Sequence, residues 1–227
     1  CAKVADSTLV GNFQSKNKRA VGYVAINNDI KSVSMVFRGT DNINQYLTDL
    51  QIKKKDWPDW AKDSAVHTGF LEAYESVSDS LYTQVTGQLA KHPSHNLTIS
   101  GHSLGAALAS LAAVDFVHRN KTLANIMRVV TFGKPRVGNQ EYADHYNSLD
   151  LDSLFVVNKD DIVPHLPPKT LGYRHENGEN WIKPDSNSNT TISCPQVDND
   201  ANPNCSASVK FRNLSRKDHH WAWNVEM

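Results

Sequence analysis

Apolar positions along the first two thirds of the chain follow two different periods. Short apolar or alternating segments predict five strands, at 20–26, 32–37, 96–100, 127–132 and 154–157. Between them, apolar residues recur every three to four positions over 70–91 and 104–119, which predicts helices. Strands that alternate with helices indicate an α/β protein, with a central, mostly parallel sheet and helices on both faces.

Two further segments have their own patterns. Residues 42–51 predict a short amphipathic helix, because Ile43, Tyr46 and Leu47 fall on one face. Residues 177–208 are rich in Asn, Ser, Asp and Pro and are therefore predicted to be surface loop. The chain of 227 residues fits one domain, 1–227, since single cores stop growing only at roughly 250–300 residues.

The charge balance excludes several function classes. Lys plus Arg and Asp plus Glu each number 24, so a nucleic-acid binder, which usually carries a basic excess, is not expected. The longest apolar stretch, 104–114, is too short for a transmembrane segment, which needs about 20 residues. No signal peptide opens the numbering, which can begin after processing. Nothing in the sequence indicates an oligomeric state.

The cysteines and sequons bear on the compartment. Cys194 and Cys205 flank ten residues, so a local disulfide would form easily and stabilise the fold by about 3 kcal/mol, although two free loop thiols are the alternative. Cys1 is left without an obvious partner. Glycosylation sequons favour a secreted eukaryotic glycoprotein and begin at Asn96, Asn120, Asn189, Asn204 and Asn213.

The strongest chemical signal is Gly-His-Ser-Leu-Gly at 101–105. It lies between an apolar strand and an apolar helix, which is the setting that a nucleophile elbow of the G-x-S-x-G type requires. The turn is so tight that Gly101 and Gly105 must lack side chains. Ser103 would then stand above the sheet, and the helix N-terminus with the Leu104 amide would favour an oxyanion there.

A serine nucleophile needs a base and a carboxylate that orients it. On such a sheet the acid follows the serine in the chain and the histidine comes last. Asp160 and Asp161 both qualify by position, because they follow the strand at 154–157. The later histidines are His165, His175, His219 and His220, and the chain order favours the last two.

The sequence resembles the class 3 lipase family, in its secreted filamentous-fungal branch of lipases and feruloyl esterases. The resemblance spans 36–168 in family order, with the motifs Val-Phe-Arg-Gly-Thr (36–40), Val-His-Thr-Gly-Phe (66–70), Ser-Gly-His-Ser-Leu-Gly-Ala (100–106), Thr-Phe-Gly-Lys-Pro-Arg-Val-Gly-Asn (131–139) and Asp-Ile-Val-Pro-His-Leu-Pro-Pro (161–168). It implies an α/β-hydrolase fold with a short lid helix. The family usually has an additional helix before its first strands, and 1–227 is expected to lack it, as an incomplete or cleaved chain would.

The resemblance also implies roles for individual residues. Ser103 matches the nucleophile and Asp161, rather than Asp160, matches the acid. Thr40 and Leu104 match the two oxyanion-hole residues. For the base, His219 fits the family pattern best, and a shift of one position would make it His220. No metal or cofactor is implied.

A lid is implied directly after Thr40, with Asn42, Ile43, Tyr46 and Leu47 as its residues. An ordinary surface helix is the alternative. The apolar spacing of this segment, and the lack of an aromatic platform for sugars, favour a lipase that cleaves glyceride esters at a lipid–water interface. A feruloyl-type carbohydrate esterase with a polar, fixed lid is the competing enzyme, and a non-catalytic binding relative is a remote third reading. The resemblance implies a secreted fungal protein.

Overall fold

The fold is that of a computed structural model, which describes residues 6–40, 52–184, 190–195, 202 and 204–227. Eight strands form one sheet in the order β1-β2-β3-β6-β7-β8-β9-β10. The strands of this sheet are β1 (Ser7–Gln14), β2 (Val21–Asn27), β3 (Ser32–Phe37), β6 (Asn96–His102), β7 (Met127–Phe132), β8 (Asp152–Asn158), β9 (Glu179–Ile182) and β10 (Thr191–Ser193). Two hairpins stand apart from it, β4 (Lys54–Asp56) with β5 (Ala65–His67), and β11 (Trp221–Ala222) with β12 (Val225–Glu226).

The centre of the sheet is parallel. Strands β3, β6, β7, β8 and β9 pair in parallel, and the antiparallel pairs lie at the two edges. The register sets Gly101 of β6 opposite Phe37 of β3 and Thr131 of β7. The carboxyl ends of the parallel strands therefore meet along one edge of the sheet, as the sequence pattern predicts for an α/β protein.

The described residues contain four α-helices, α1 (Thr68–Glu75), α2 (Ser78–Lys91), α3 (Leu104–Arg119) and α4 (Gln140–Ser148). The helical pattern over 70–91 is therefore two helices and not one. The break falls at Ser76 and Val77, where the Ser76 hydroxyl donates to the Ala73 carbonyl at 2.6 Å and Val77 leaves helical geometry with φ −128°. A serine that competes for a backbone carbonyl weakens the helix at that point.

Helix α3 forms the centre of the core. All residues from Gly105 to Val117 are buried, and the helix contacts β3, β6 and β7. Many of them are alanines, which let the helix approach the sheet closely. Gly105 shows how close: a Cβ there would collide with the Phe37 carbonyl oxygen. No helix in the described part of the chain is long and apolar enough to cross a membrane.

The segment predicted to be loop at 177–208 is partly structured. It contributes β9, which pairs with β8, and β10, which pairs with β9. The Cys194–Cys205 disulfide is confirmed, with Cα atoms 6.1 Å apart. Within this polar segment, β9 carries the buried Trp181 and Ile182, and these side chains together with the backbone ladder to β8 explain why it is ordered. The predicted lid residues Asn42, Ile43, Tyr46 and Leu47, like Cys1, lie outside the described residues.

Candidate active site

The turn between β6 and α3 forms a tight elbow at Ser103. Its backbone has φ 56° and ψ −125°, a conformation that L-residues rarely adopt, and its amide donates to the Phe132 carbonyl at 3.0 Å. The flanking glycines are required, because a Cβ on Gly101 would collide with the backbone of Gly105. Ser103 therefore lies at the N-terminus of α3, where the helix dipole favours negative charge.

An aspartate and a histidine meet in the same region. The Nδ1 atom of His219 lies 3.0 Å and 2.9 Å from the two carboxylate oxygens of Asp161. Both side chains are buried, with 1% of each exposed to solvent. A carboxylate at Nδ1 fixes the tautomer that carries its proton there and leaves the lone pair on Nε2.

The strand end and the C-terminal segment hold this pair in place. Asp161 follows β8, and its Oδ1 accepts a hydrogen bond from the Val163 amide at 2.9 Å. The Ser215 amide donates to the Asp160 carbonyl at 2.7 Å, and the Asn158 side chain donates to the Asp218 carbonyl at 2.9 Å. The segment that carries His219 is thus attached to the end of β8 on both sides of Asp161.

Gly133 has no side chain, and this leaves room for the Asp161–His219 pair. It has φ +52°, and a Cβ built on it would lie 2.8 Å from two atoms of the His219 ring and 2.9 Å from Asp161 Oδ2. No real Cβ atom approaches so closely, so the position requires glycine for steric as well as conformational reasons. Gly133 belongs to the motif at 131–139, but the residues that require glycine there are distant from it in sequence.

His102 supports His219 from the elbow side. Its Nε2 lies 2.7 Å from the His219 carbonyl oxygen, to which it donates, and the two rings are 4.3 Å apart. Burial, and then the nearby His219, lower the pKa of His102 to about 4. His102 is therefore neutral at pH 7 and adds no positive charge beside the second imidazole.

Two atoms in this cluster have no hydrogen-bond partner among the described residues. They are Ser103 Oγ and His219 Nε2, and both are buried. No hydrogen bond therefore joins Ser103 Oγ to His219 Nε2 in this structure. Buried polar atoms are usually paired, and the unpaired ones often belong to sites that complete their contacts when substrate binds.

The two predicted oxyanion residues lie beside the elbow. Thr40 and Leu104 line one cavity of about 320 Å³. Gly39, which precedes Thr40, lies against the elbow: a Cβ built on it would be 3.4 Å from the Cβ of Ser103. Leu104 is the first residue of α3, so its amide is one of the free N–H groups of the helix start. The cavity thus brings Thr40 and Leu104 together next to the elbow.

The competing candidates lie elsewhere. His220 is exposed and its amide donates to the Lys217 carbonyl, while His175 bonds to the Pro164 carbonyl at 2.7 Å. Asp160 contacts neither histidine in the described structure; burial, and then the nearby Asp218, raise its pKa. The structure therefore brings His219 and Asp161 together, rather than the alternatives that chain order left open.

A metal site is not formed by the side chains described. The one group of three potential metal ligands among them comprises Glu179, Cys194 and Cys205. Its two sulfur atoms are joined in the disulfide and cannot act as thiolate ligands.

The amino-acid sequence matches a family of known proteins. Residues 34–171 match the model of the family described as Lipase (class 3). The chain is 35% identical over 211 residues to a lipase of Rhizopus niveus, covering 92% of this chain and 53% of that protein. It is 33% identical to secreted mono- and diacylglycerol lipase 1 of Fusarium solani, covering 78% of this chain and 52% of that protein.

The solved structure of lipase II from Rhizopus niveus has the same architecture. It superposes with a TM-score of 0.90 at 34% identity, over 98% of this chain and 82% of that one. The fold is therefore that of the α/β-hydrolases. The chain spans about half the length of the curated relatives it matches. An elbow serine, a buried Asp–His pair on the same edge of the sheet and a family match over 34–171 lead to one conclusion: the chain belongs to the class 3 lipase family.

Proposed function

We propose that this protein is a serine hydrolase that cleaves the carboxylic esters of glycerides through an acyl-enzyme intermediate. The observation that carries the proposal is the contact of His219 Nδ1 with Asp161, 2.9 Å long, beside a serine in a strained elbow. Family membership supports the same chemistry, since the relatives compared are named lipases.

Each residue has a role in the proposed mechanism. His219 Nε2 takes the proton of Ser103 as Oγ attacks the ester carbonyl, and it returns that proton to the leaving alcohol. Asp161 holds the imidazole in the required tautomer and stabilises the imidazolium. Water then attacks the acyl-enzyme with His219 as base again, which regenerates the serine.

The oxyanion of each tetrahedral intermediate is stabilised by Thr40 and Leu104. The Leu104 amide belongs to the start of α3, and Thr40 offers an amide and a hydroxyl. One such donor typically contributes about 3–4 kcal/mol to the transition state. The two amides are fixed by the backbone, so little reorganisation of these donors is needed when charge develops.

The burial of Ser103 supports a site that is covered in this structure. Ser103 is buried and exposes 1% of its surface, so an ester reaches its Oγ only after the site opens. The segment at 41–50, whose apolar spacing favours a lid, follows Thr40 directly in the chain. We therefore assign to that segment the role of a lid that opens at a lipid–water interface.

Secretion is part of the proposal. The Fusarium solani relative is named as secreted, and this chain has a disulfide, which persists in oxidising compartments. Four sequon asparagines, Asn96, Asn120, Asn204 and Asn213, are exposed and could carry glycans.

The test is a rate profile with two substrates. Hydrolysis of a short-chain glyceride is measured from below to above its solubility limit, with methyl ferulate in parallel and Ser103→Ala as the blank. A rate that rises sharply once droplets form, with methyl ferulate inert, is the expected result.

Two other outcomes would change the conclusion. Saturation below the solubility limit with good turnover of methyl ferulate would replace the lipase with a feruloyl-type esterase. Equal activity of Ser103→Ala and the unmodified protein on both esters would overturn the serine-hydrolase mechanism itself.

A further inference from the structure

A buried ion pair joins two segments near the candidate active site. Lys134 Nζ donates a hydrogen bond to Glu176 Oε2 at 2.6 Å, and the two side chains expose 3% and 0% of their surface. The Lys134 ammonium also lies 4.7 Å from the centre of the Phe155 ring and 5.7 Å from that of Tyr146. The pair is therefore surrounded by protein, with aromatic rings packed on the ammonium.

The stability of the fold does not by itself account for such a pair. Removing two charges from water costs free energy that their mutual attraction only partly offsets, and apolar residues of similar volume often stabilise a core equally well. A hydrogen bond between charged groups is, however, short and directional. It can therefore fix the relative positions of the two segments that it joins more strictly than apolar contacts would.

The first of these segments packs on the acid and the base. Lys134 follows Gly133, where a Cβ would lie 2.8 Å from the His219 ring and 2.9 Å from Asp161 Oδ2. The Gly133 amide donates to the Val156 carbonyl at 2.9 Å. The backbone at 133–134 therefore forms one wall of the space that the carboxylate and the imidazole share.

The second segment holds the turn that carries the acid. Glu176 follows His175, whose Nε2 donates to the Pro164 carbonyl at 2.7 Å. Pro164 belongs to the same turn as Val163, whose amide donates to Asp161 Oδ1 at 2.9 Å. The backbone at 175–176 is thus linked to Asp161 through two hydrogen bonds of this turn.

We propose that Lys134 and Glu176 are positioning residues of the Asp161–His219 pair. Their ion pair joins the backbone that packs on the acid and the base to the segment that, through His175, holds the turn of Asp161. A shift of one segment against the other changes the position of the carboxylate relative to the imidazole. The inference rests on the proposed function for its catalytic consequence, whereas its effect on the contact between acid and base needs no substrate.

The experiment separates this role from stability. The apolar double variant Lys134→Met/Glu176→Leu keeps similar side-chain volumes and removes both charges together, so its thermal unfolding temperature should stay close to that of the unmodified protein. The link between the segments is lost. On p-nitrophenyl butyrate, a soluble ester, kcat should fall by about ten- to a hundredfold, while KM changes little.

A conservative variant should give the opposite combination. Glu176→Gln keeps an oxygen that accepts from Lys134 but removes the charge that balances the buried ammonium, so it should unfold at a lower temperature than the apolar double variant. Its kcat should nevertheless be the higher of the two. The proposal would be overturned by kcat values that follow the unfolding temperatures, or by an apolar double variant with the kcat of the unmodified protein.

A third variant tests the other half of the link and does not depend on the folding of the double variant. The His175 ring stacks on Phe155 at 4.7 Å, so His175→Phe should keep this packing and lose only the bond to the Pro164 carbonyl. It should also lower kcat with little change in KM, and an unchanged kcat would overturn the proposal. Asp115→Asn is the matched control, because it disrupts an ion pair with Arg119 at the far end of α3 and should lower the unfolding temperature without lowering kcat.

A measurement without substrate keeps this proposal distinct from the proposed function. The proton on His219 Nδ1, which faces Asp161, should give a downfield proton NMR signal that is absent from His219→Ala. The signal should shift or broaden in the apolar double variant and in His175→Phe, and it should keep its position in the control. An unchanged signal in the apolar double variant would overturn the positioning role. An unmodified protein that cleaves no ester but shows these spectral changes would count against the proposed function alone.

Discussion

The two ends of helix α3 differ in whether their buried polar groups are hydrogen-bonded. At the C-terminal end, both oxygens of Asp115 accept hydrogen bonds, from the Tyr74 hydroxyl at 2.5 Å and from Arg119 Nε at 2.9 Å. Arg119 also bonds to Asp79 at 2.7 Å and lies over the Tyr82 ring. A carboxylate near the negative end of a helix dipole is unfavourable alone, and the guanidinium compensates for it.

At the N-terminal end, the polar groups are not all satisfied. Ser103 Oγ and His219 Nε2 have no hydrogen-bond partner in the described structure, and the Ser103 backbone is strained. The same helix therefore carries one cluster whose hydrogen bonds are complete and one in which two described atoms have no partner. Buried clusters with complete hydrogen bonds contribute to stability. Incomplete clusters lower stability, and they are found where the unpaired groups take part in a reaction.

The largest expected effect is at the nucleophile. Ser103→Ala should lower kcat by about a millionfold, as removal of a triad member does elsewhere, without loss of folding. Ser103→Gly should also be inactive, and it should gain about 1 kcal/mol in the free energy of unfolding because glycine relieves the strain. Kinetics on a soluble ester and urea unfolding measure the two quantities. Residual activity near that of the unmodified enzyme would remove Ser103 from the mechanism.

The base has a matched pair of variants. His219→Ala should lose activity to the same degree as Ser103→Ala, because the two act as one unit. His220→Ala should keep nearly all of it, since this side chain is exposed and makes no contact with Asp161 in the described structure. The ratio of kcat/KM between the two variants reports the assignment directly, and the reverse ranking would transfer the role to His220.

The acid should matter somewhat less. Asp161→Asn keeps the size of the side chain but favours the wrong imidazole tautomer, which costs about ten-thousandfold in kcat in comparable triads. Asp160→Asn changes the neighbouring residue, whose backbone but not side chain contacts Ser215 in the described structure, and should cost little. Losses of equal size, measured by steady-state kinetics, would show that the geometry of the pair does not determine the role.

The two ends of α3 should also respond differently to pH. His102 has a pKa of about 4 in the folded protein and about 6.5 when unfolded, so the unfolded chain binds more protons between these values. Stability should fall as the pH drops through this window, by roughly 3 kcal/mol in all. His102→Gln should remove this part of the slope, which urea titrations at several pH values would measure.

The opposite dependence is expected at the Asp115 end. Burial, followed by the Asp115 charge, raises the pKa of Tyr74 above its ordinary value of 10.0, so stability should fall above pH 10. Identical slopes for the unmodified protein and His102→Gln in acid, or for the unmodified protein and Tyr74→Phe in base, would contradict this account.

The smallest effects concern the satisfied cluster. Asp115→Asn should lower the free energy of unfolding by about 2 kcal/mol, because Arg119 and Tyr74 lose a charged acceptor, while kcat stays the same. Asp79→Asn removes the other partner of Arg119 and should cost less than about 0.5 kcal/mol, since the Asp79 side chain is 90% exposed. An activity loss in Asp115→Asn without a change in stability would break the comparison.

Local constraints are what the sequence predicts well. The bounds of β3, β7 and α3 agree with the predicted ones, because each lies in the core and its apolar positions recur with the period of a strand or a helix. The elbow follows in part from Gly101, where a Cβ would meet the backbone of Gly105 four positions away, whereas the Phe37 backbone that requires glycine at 105 is distant in sequence. Contacts that join distant segments are harder to predict. The steric reason for Gly133 depends on the position of His219, and β9 pairs with β8 from within a segment whose overall composition is polar.

The same distances affect how the protein folds. Helix α3 forms from contacts within one turn, but the bonds of His219 to Asp161 and to His102 join positions 58 and 117 residues apart. Closing such loops costs entropy and slows folding, most of all in parallel sheets. We therefore expect refolding chains to regain helical circular dichroism before they regain the ability to turn over an ester. We expect the helix that follows the proposed nucleophile to form early, and the contacts that place the proposed base to form late in folding.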